Sequence, residues 1–287
     1  MKIWDDLKQQ YLFGGVVQKL IFWNIGLSML FFILEGIFPT IYQVFLPWVG
    51  LSSDITSLIY RPWTLISYAF IHAGIIHLLF NVLVLHFVGR LFTTYFTQKQ
   101  FLTVYFFGAL IGGLFFAFGG LFLEIGTLLV GASAATIAPL IALAVYAPYV
   151  QIRLALIGNV KVWHIAVFLL VLDIIQLSAS NTGGHLSHFG GAFSGFLYIK
   201  LLQSGLDLSN VIDSVFDFFK RNSQKKEKTP FKKVYVTKKN KDEKSKPRRL
   251  IKTESQAKID EILEKISKSG YESLTKEEKD FLFHAGK

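Results

Sequence analysis

Six stretches of this chain are too long and too apolar for ordinary soluble helices, and they decide what it can fold into. They lie at Val17–Phe38, Gly74–Phe92, Phe101–Gly120, Gly131–Tyr149, Val162–Leu177 and Leu186–Leu202. A helix needs ~20 apolar residues to cross ~30 Å of hydrocarbon, so each run is read as a span, the fifth one short and only slightly tilted. Backbone polar groups in lipid must be satisfied within the segment, which leaves helices as the economical solution for such runs. The expected fold is an all-α membrane protein with six transmembrane helices. Composition agrees: 52% of residues are apolar, 28 are Phe, and the mean hydropathy is +0.44, well outside the usual range of soluble domains. The first run lacks a small-residue cleavage site and exceeds a signal-peptide core, so it is kept as a membrane helix.

Lys and Arg in short loops set orientation. Lys2 and Lys8 precede the first span and Lys19 lies in its first turn, Arg90 and Lys99 flank the second connection, Arg153 and Lys161 lie in the fourth, and the C-terminal tail is strongly basic. These sides are expected to be cytoplasmic, with both termini inside. Even-numbered spans then run from outside to inside, and their first turns share one depth. His72 and His77, Ser133, and His185 and His188 all fall at that depth.

Polar groups inside a membrane are expensive to keep and default to a functional reading. His77 and Asn81 are four apart and share a helix face, so two donors can reach one oxygen. Ser133 opens a helix, where free backbone N–H groups and the helix dipole favour negative charge. Gly131 and the alanines around Ser133 allow another backbone to come close, and Gly191 and Gly195 form the small-xxx-small stripe that suits such an approach. Packing the sixth span on the fourth through these residues would carry His188 within hydrogen-bond reach of Ser133.

The stretch WTLISYAFIHAGIIHLLFN, the segment GASAA and the segment SHFGGAFSG resemble, in order and spacing, three signature regions of the rhomboid intramembrane serine proteases. The resemblance covers about residues 15–205. It implies a six-helix bundle in a bacterial inner membrane and a Ser–His dyad without an acidic third member, Ser133 as nucleophile and His188 as general base and then acid. Asn81, His77 and the Ser133 amide would stabilise the oxyanion, with His72 and Gly131 in support. It also implies single-pass transmembrane substrates entering laterally beside the fifth helix, and no cofactor or metal. The alternative is a catalytically silent rhomboid-like protein that binds or escorts membrane helices.

Three positions depart from that pattern. Ala134 stands where Gly is frequent, so a neighbouring backbone must tolerate a methyl. Ile137 replaces an aromatic residue that packs on the catalytic ring, leaving His188 less firmly held. Thr64 follows Trp63 in place of an arginine, although Arg61 is near. His185 is read as a rim or supporting residue, His86 and His164 as structural, and Asp173 as making a local hydrogen bond outside the chemistry. Other protease classes lack their groups: there is no HExxH, no GxGD aspartate pair and no cysteine, which excludes zinc, aspartyl and thiol mechanisms. No inverted repeat recommends a transporter.

The connection from Pro39 to Pro62 is long and aromatic, with Tyr42, Phe45, Trp48 and Tyr60, and is expected at the membrane interface. Ser178, Ser180, Asn181 and Thr182, before the last span, suit a mobile cap. The chain therefore divides into a protease-like membrane domain at 1–205, an interfacial amphipathic helix at 206–220, a basic linker at 221–253 and a helical hairpin at 254–287. Residues 220–252 hold fifteen Lys/Arg against three Asp/Glu, a run that attracts anionic lipid or serves as a solvated positive-inside linker; nucleic acid is not expected as a partner. In the terminal module Ile259, Ile262, Leu263 and Ile266 form a stripe, and Thr275 with Glu278 reads as a capping box. About thirty residues seldom make a core alone, so a protein partner or the membrane is expected to cover that face.

Overall fold

A computed structural model of the chain describes residues 3–123, 125, 128–154, 158–177, 181–210 and 254–285. The interfacial helix beyond Asn210, the basic linker through 253 and Ser178–Ser180 of the expected cap lie outside the described residues. The described structure falls into two units, Met1–Glu227 and Lys228–Lys287.

The first unit is helical. In chain order it runs α1 (Ile3–Phe13), α2 (Gly15–Ile37), α3 (Pro39–Val49), α4 (Thr56–Tyr60), α5 (Thr64–Ser67), a 3-10 turn at Tyr68–Phe70, α6 (Ile75–Phe92), α7 (Gln98–Gly119), α8 (Ser133–Tyr146), α9 (Val162–Gln176) and α10 (Thr182–Gln203). The helices α2, α6 and α7 are each long and apolar enough to cross a membrane, while α8 and α9 are apolar but shorter. The 22-residue α10 carries several glycines, two histidines and serines, which dilute its hydropathy. Large apolar side chains face outward, among them Ile75, Phe80, Phe168 and Ile175 at 60% exposure or more. A contiguous apolar exterior of this kind is what a lipid environment covers, and the fold is all-α and membrane-associated.

Local chemistry sets the helix ends. Thr97 and Gln100 form a capping box that starts α7 three residues before the apolar run. Asn181, in the left-handed region at φ 52°, caps α10 by accepting from Gly184 N–H at 3.3 Å, and Thr182 Oγ1 donates to Leu177 O at 2.7 Å. These two residues of the expected cap are thus fastened to helix ends. At Ala147 α8 stops, just before Pro148, because the residue before proline is steered out of the helical region.

At the centre α7 packs against α8 and α10 with few large side chains between them. A β-carbon at Gly108 would meet Ala138 Cβ, and one at Gly190 would meet Ile111 O at 2.7 Å, so glycine sets the closeness. Tyr68, Tyr105 and Tyr198 are fully buried, and each hydroxyl is spent: Tyr68 donates to Ala109 O at 2.8 Å, Tyr105 to Ala69 O at 3.4 Å and Tyr198 to Asp207 Oδ1 at 3.2 Å.

Two small antiparallel sheets interrupt the helices. Leu51–Ser52 (β1) pairs with Leu128–Leu129 (β2), Leu51 opposite Leu129. The second is a hairpin of Gln151–Leu154 (β3) with Gly158–Lys161 (β4), in a connection read from the sequence only as a charged loop. Alternation of Ile152 and Leu154 with Gln151 and Arg153 is the period-2 signal it offered. The first connection folds as α3, β1 and α4. Trp63 Nε1 donates to Trp48 O at 2.8 Å, the two indoles stack at 6.2 Å, and Arg61 lies over Trp48 while donating to Pro47 O at 2.6 Å.

In the second unit, α11 (Glu254–Ser269) and α12 (Lys276–Ala285) are joined through a 3-10 turn at Tyr271–Ser273. Ile262 and Leu274 are buried between them. Glu278 accepts from Thr275 N–H at 2.7 Å, its own N–H donates to Thr275 Oγ1 at 3.3 Å, and Lys265 pairs with the carboxylate at 2.9 Å.

Candidate active site

The segment entering α8 turns sharply at Gly131, which has φ 128°. A β-carbon there would be strained by conformation and would strike His77, 2.6 Å from Cε1. Gly131 N–H donates to Tyr68 O at 3.0 Å. The turn delivers Ser133 to the first position of α8, where backbone N–H groups lack intrahelical partners and the dipole is positive.

A chain of polar contacts holds the turn from behind. Ala132 N–H reaches His72 Nε2 at 3.4 Å, and His72 Nδ1 lies 2.8 Å from Ser28 Oγ, which donates to Phe70 O at 3.1 Å. The acceptor role of Nε2 assigns the Nδ1–H tautomer. His72 is buried and its ring is 5.1 Å from that of His77. Ser28, on α2, was not singled out in the sequence; a serine among apolar residues gave no signal of its target.

From the other side, α10 brings His188 to the serine: Nε2 lies 2.7 Å from Ser133 Oγ. The approach rests on small residues. Gly191 abuts the Ala134 carbonyl and Gly195 abuts the Ala138 carbonyl. The extra methyl of Ala134 is accommodated by Gly112 of α7, where a β-carbon would come within 2.6 Å of it.

The third side was not expected. Asp173, in the C-terminal half of α9 and 5% exposed, places Oδ1 2.8 Å from His188 Nδ1 and 2.7 Å from His185 Nδ1. The local hydrogen bond read for Asp173 is therefore made to the candidate base itself. His185 is buried rather than at the rim. The ring that Ile137 leaves unstacked is held through its nitrogen instead.

Asn81 is one helical turn beyond His77 on α6, and its Nδ2 donates to His77 O at 2.9 Å; the second N–H of that amide is available to another acceptor. Thus Ser133, His188, His77, Gly131 and His72 are brought together, while the contact made by Asn81 is to the His77 carbonyl of its own helix. His86 and His164 lie elsewhere, each next to an aromatic neighbour in sequence.

Asp173, His185 and His188 each offer one ligand atom within 4.8 Å of the others, a spacing that would suit a small cation. Those atoms are already committed to two imidazole N–H bonds on one carboxylate oxygen, and a nitrogen that carries the proton has no lone pair for a metal.

Residues 249–284 match a family of unknown function (DUF6576). No curated protein matches the chain. Residues 60–204, just over half of the chain and the part that contains Ser133, His188, Asp173, His77 and His72, match the rhomboid domain, and the chain belongs to the rhomboid family.

Proposed function

We propose that this rhomboid-family protein is an active intramembrane serine endopeptidase. The observation that carries the reading is the 2.7 Å contact between Ser133 Oγ and His188 Nε2 at the N-terminus of an apolar helix. His188 takes the serine proton as Oγ attacks a peptide carbonyl, returns it to the leaving amine, and activates water to release the acyl group. The oxyanion falls to the α8 N-terminus, His77 and the second amide proton of Asn81, with Gly131 and His72 shaping the turn.

In this reading α2 and α6 to α10 are six spans in a bacterial inner membrane and both termini are cytoplasmic. Substrates are single-pass proteins cut near their outer boundary after entering beside α9. The division into membrane domain, interfacial helix, basic linker and terminal helical module carries over, with anionic lipid as partner of the linker and a protein as partner of the module.

The direct test is labelling of purified protein with an active-site fluorophosphonate, followed by mass mapping. Modification at Ser133, absent in Ser133→Ala and in His188→Ala, is expected, together with cleavage of a transmembrane reporter that both variants lose. A wild type that neither labels nor cleaves would favour the escort reading.

A further inference from the structure

We infer that Asp173 is a positioning residue for His188, so that this site works as a Ser133–His188–Asp173 line and not as a bare dyad; the inference rests on the protease reading above. The geometry has the order such a line requires. Ser133 Oγ meets Nε2 of His188 at 2.7 Å, and Nδ1 on the far side of the same ring meets Asp173 Oδ1 at 2.8 Å. A carboxylate can only accept, so Nδ1 carries the proton and Nε2 presents its lone pair to the serine. When His188 takes the Ser133 proton on Nε2, Nδ1 keeps its own, Asp173 remains ionised, and the imidazolium is stabilised across the 2.8 Å bond.

Burial argues that the carboxylate is kept for this purpose. Asp173 is one of three buried residues on α9, the others being Val162 and Ala166, and apart from His164 and Gln176 near its ends that helix presents apolar side chains to its surroundings. An ionisable group at such a place is costly unless it is paired. Oδ1 takes two imidazole N–H bonds, while Oδ2 is buried without a hydrogen-bond partner among the described residues. A group placed for stability alone would satisfy both oxygens or be replaced by an apolar one.

His185 supplies the second donor. Its ring stands at 89° to that of His188, 5.8 Å away, and its bond from one turn earlier on α10 holds Oδ1 where His188 needs it. The fixed tautomer and ring angle make good what stacking would provide in an enzyme with an aromatic residue at the position of Ile137.

The other titratable groups near His188 are few. His77 approaches from α6 with His72 behind it, while α8 has no acidic or basic side chain and α7 has only Lys99, at its first turn. Among the described residues Asp173 is the one anion at the ring. Replacing it with an amide therefore removes the group that favours the protonated imidazole and can hand Nδ1 a donor, which selects the wrong tautomer.

The test uses the full-length protein in detergent with a transmembrane reporter. Asp173→Asn is expected to lower kcat by about 10²–10⁴-fold with KM changed less than about threefold. His185→Gln is expected to lower kcat by about tenfold, since an amide N–H restores part of the second bond. Because Asp173→Asn could fail to fold, the wild type is read independently by ¹⁵N-histidine NMR. His188 should carry its proton on Nδ1 at neutral pH, with a strongly downfield N–H signal.

An Asp173→Asn enzyme with kcat within threefold of wild type would overturn the inference. So would a wild-type His188 protonated on Nε2, or activity that a chelator removes and zinc restores, which would make the three side chains a metal site. A wild type that fails to label at Ser133 sinks the protease reading instead, and the NMR measurement still decides whether Asp173 orients His188.

Discussion

Gly191 of α10 stands against the carbonyl oxygen of Ala134 on α8, one residue after Ser133 and one helical turn after His188. The distance between serine and histidine is therefore set by a backbone contact and not by a flexible side chain. Gly191→Ala must push the helices apart, at a cost of about 1–3 kcal/mol, and a displacement near 1 Å lowers turnover by about 100-fold. Fluorophosphonate labelling rate and thermal unfolding, measured on the same preparation, should both fall; unchanged labelling would show that the contact does not set the register.

His77→Ala and Asn81→Ala should each slow cleavage by about 10²–10³-fold without abolishing it, because an oxyanion donor stabilises the transition state and takes no proton. Asn81 donates to His77 O in the resting protein, so its contribution requires the second N–H. Full activity in Asn81→Ala would remove it from the site. Reporter kcat, with KM alongside, is the measurement.

His72→Phe keeps the ring volume and loses both nitrogens that link Ser28 to Ala132. About 1–3 kcal/mol of stability should go with the buried polar partners left behind, and labelling of Ser133 should slow as the turn loosens. Ser28→Ala tests the same chain at its far end and should show the smaller effect.

Deleting residues 220–287 should leave turnover in detergent intact, since every reacting group precedes Leu202. In anionic liposomes the truncated chain should lose orientation or yield relative to neutral ones, because the deleted run attracts anionic lipid at about 1 kcal/mol per well-placed charge. Inactivity of a folded truncation in detergent would show that the tail belongs to the catalytic unit.

Asp207, just beyond α10, is partly buried, which raises its pKa, but hydrogen bonds from Ser209, Gln100 and Tyr198 outweigh that and hold it below the usual carboxylate value. A depressed folded-state pKa gives stability that is present above the unfolded value, near 3.9, and is lost as pH falls through the folded one. Asp207→Asn should lower Tm by a few degrees at pH 7, and the difference from wild type should vanish as pH falls through the depressed folded-state value. A constant difference across that range would mean the carboxylate charge is not involved.

Much of this arrangement could be read from the chain because its chemistry is local in sequence. Ser133 announces a helix start with small neighbours, and His77 with Asn81 shares a face at i,i+4. Their meeting with His188 follows from span order once the glycine stripe is noticed. Asp173 was visible but not interpretable, since fifteen residues and a helix connection separate it from His188 and nothing in the apolar run of α9 tells which way the carboxylate points. The strands at Gln151–Leu154 and Gly158–Lys161 were missed for a different reason: a four-residue alternation between two apolar helices is overshadowed by the charges that mark it as a loop.

The pairing of Leu51 with Leu129 ties the first connection to the strand that runs into Gly131 and Ser133. Mechanically this is a short link without slack: three residues separate the ladder from Ser133, and the Gly131 N–H bond to Tyr68 O pins the same segment again. Force applied at the aromatic loop, by a lipid headgroup or a bound antibody, reaches the N-terminus of α8 through backbone alone, so under the proposed protease reading an agent that never enters the site sets its rate.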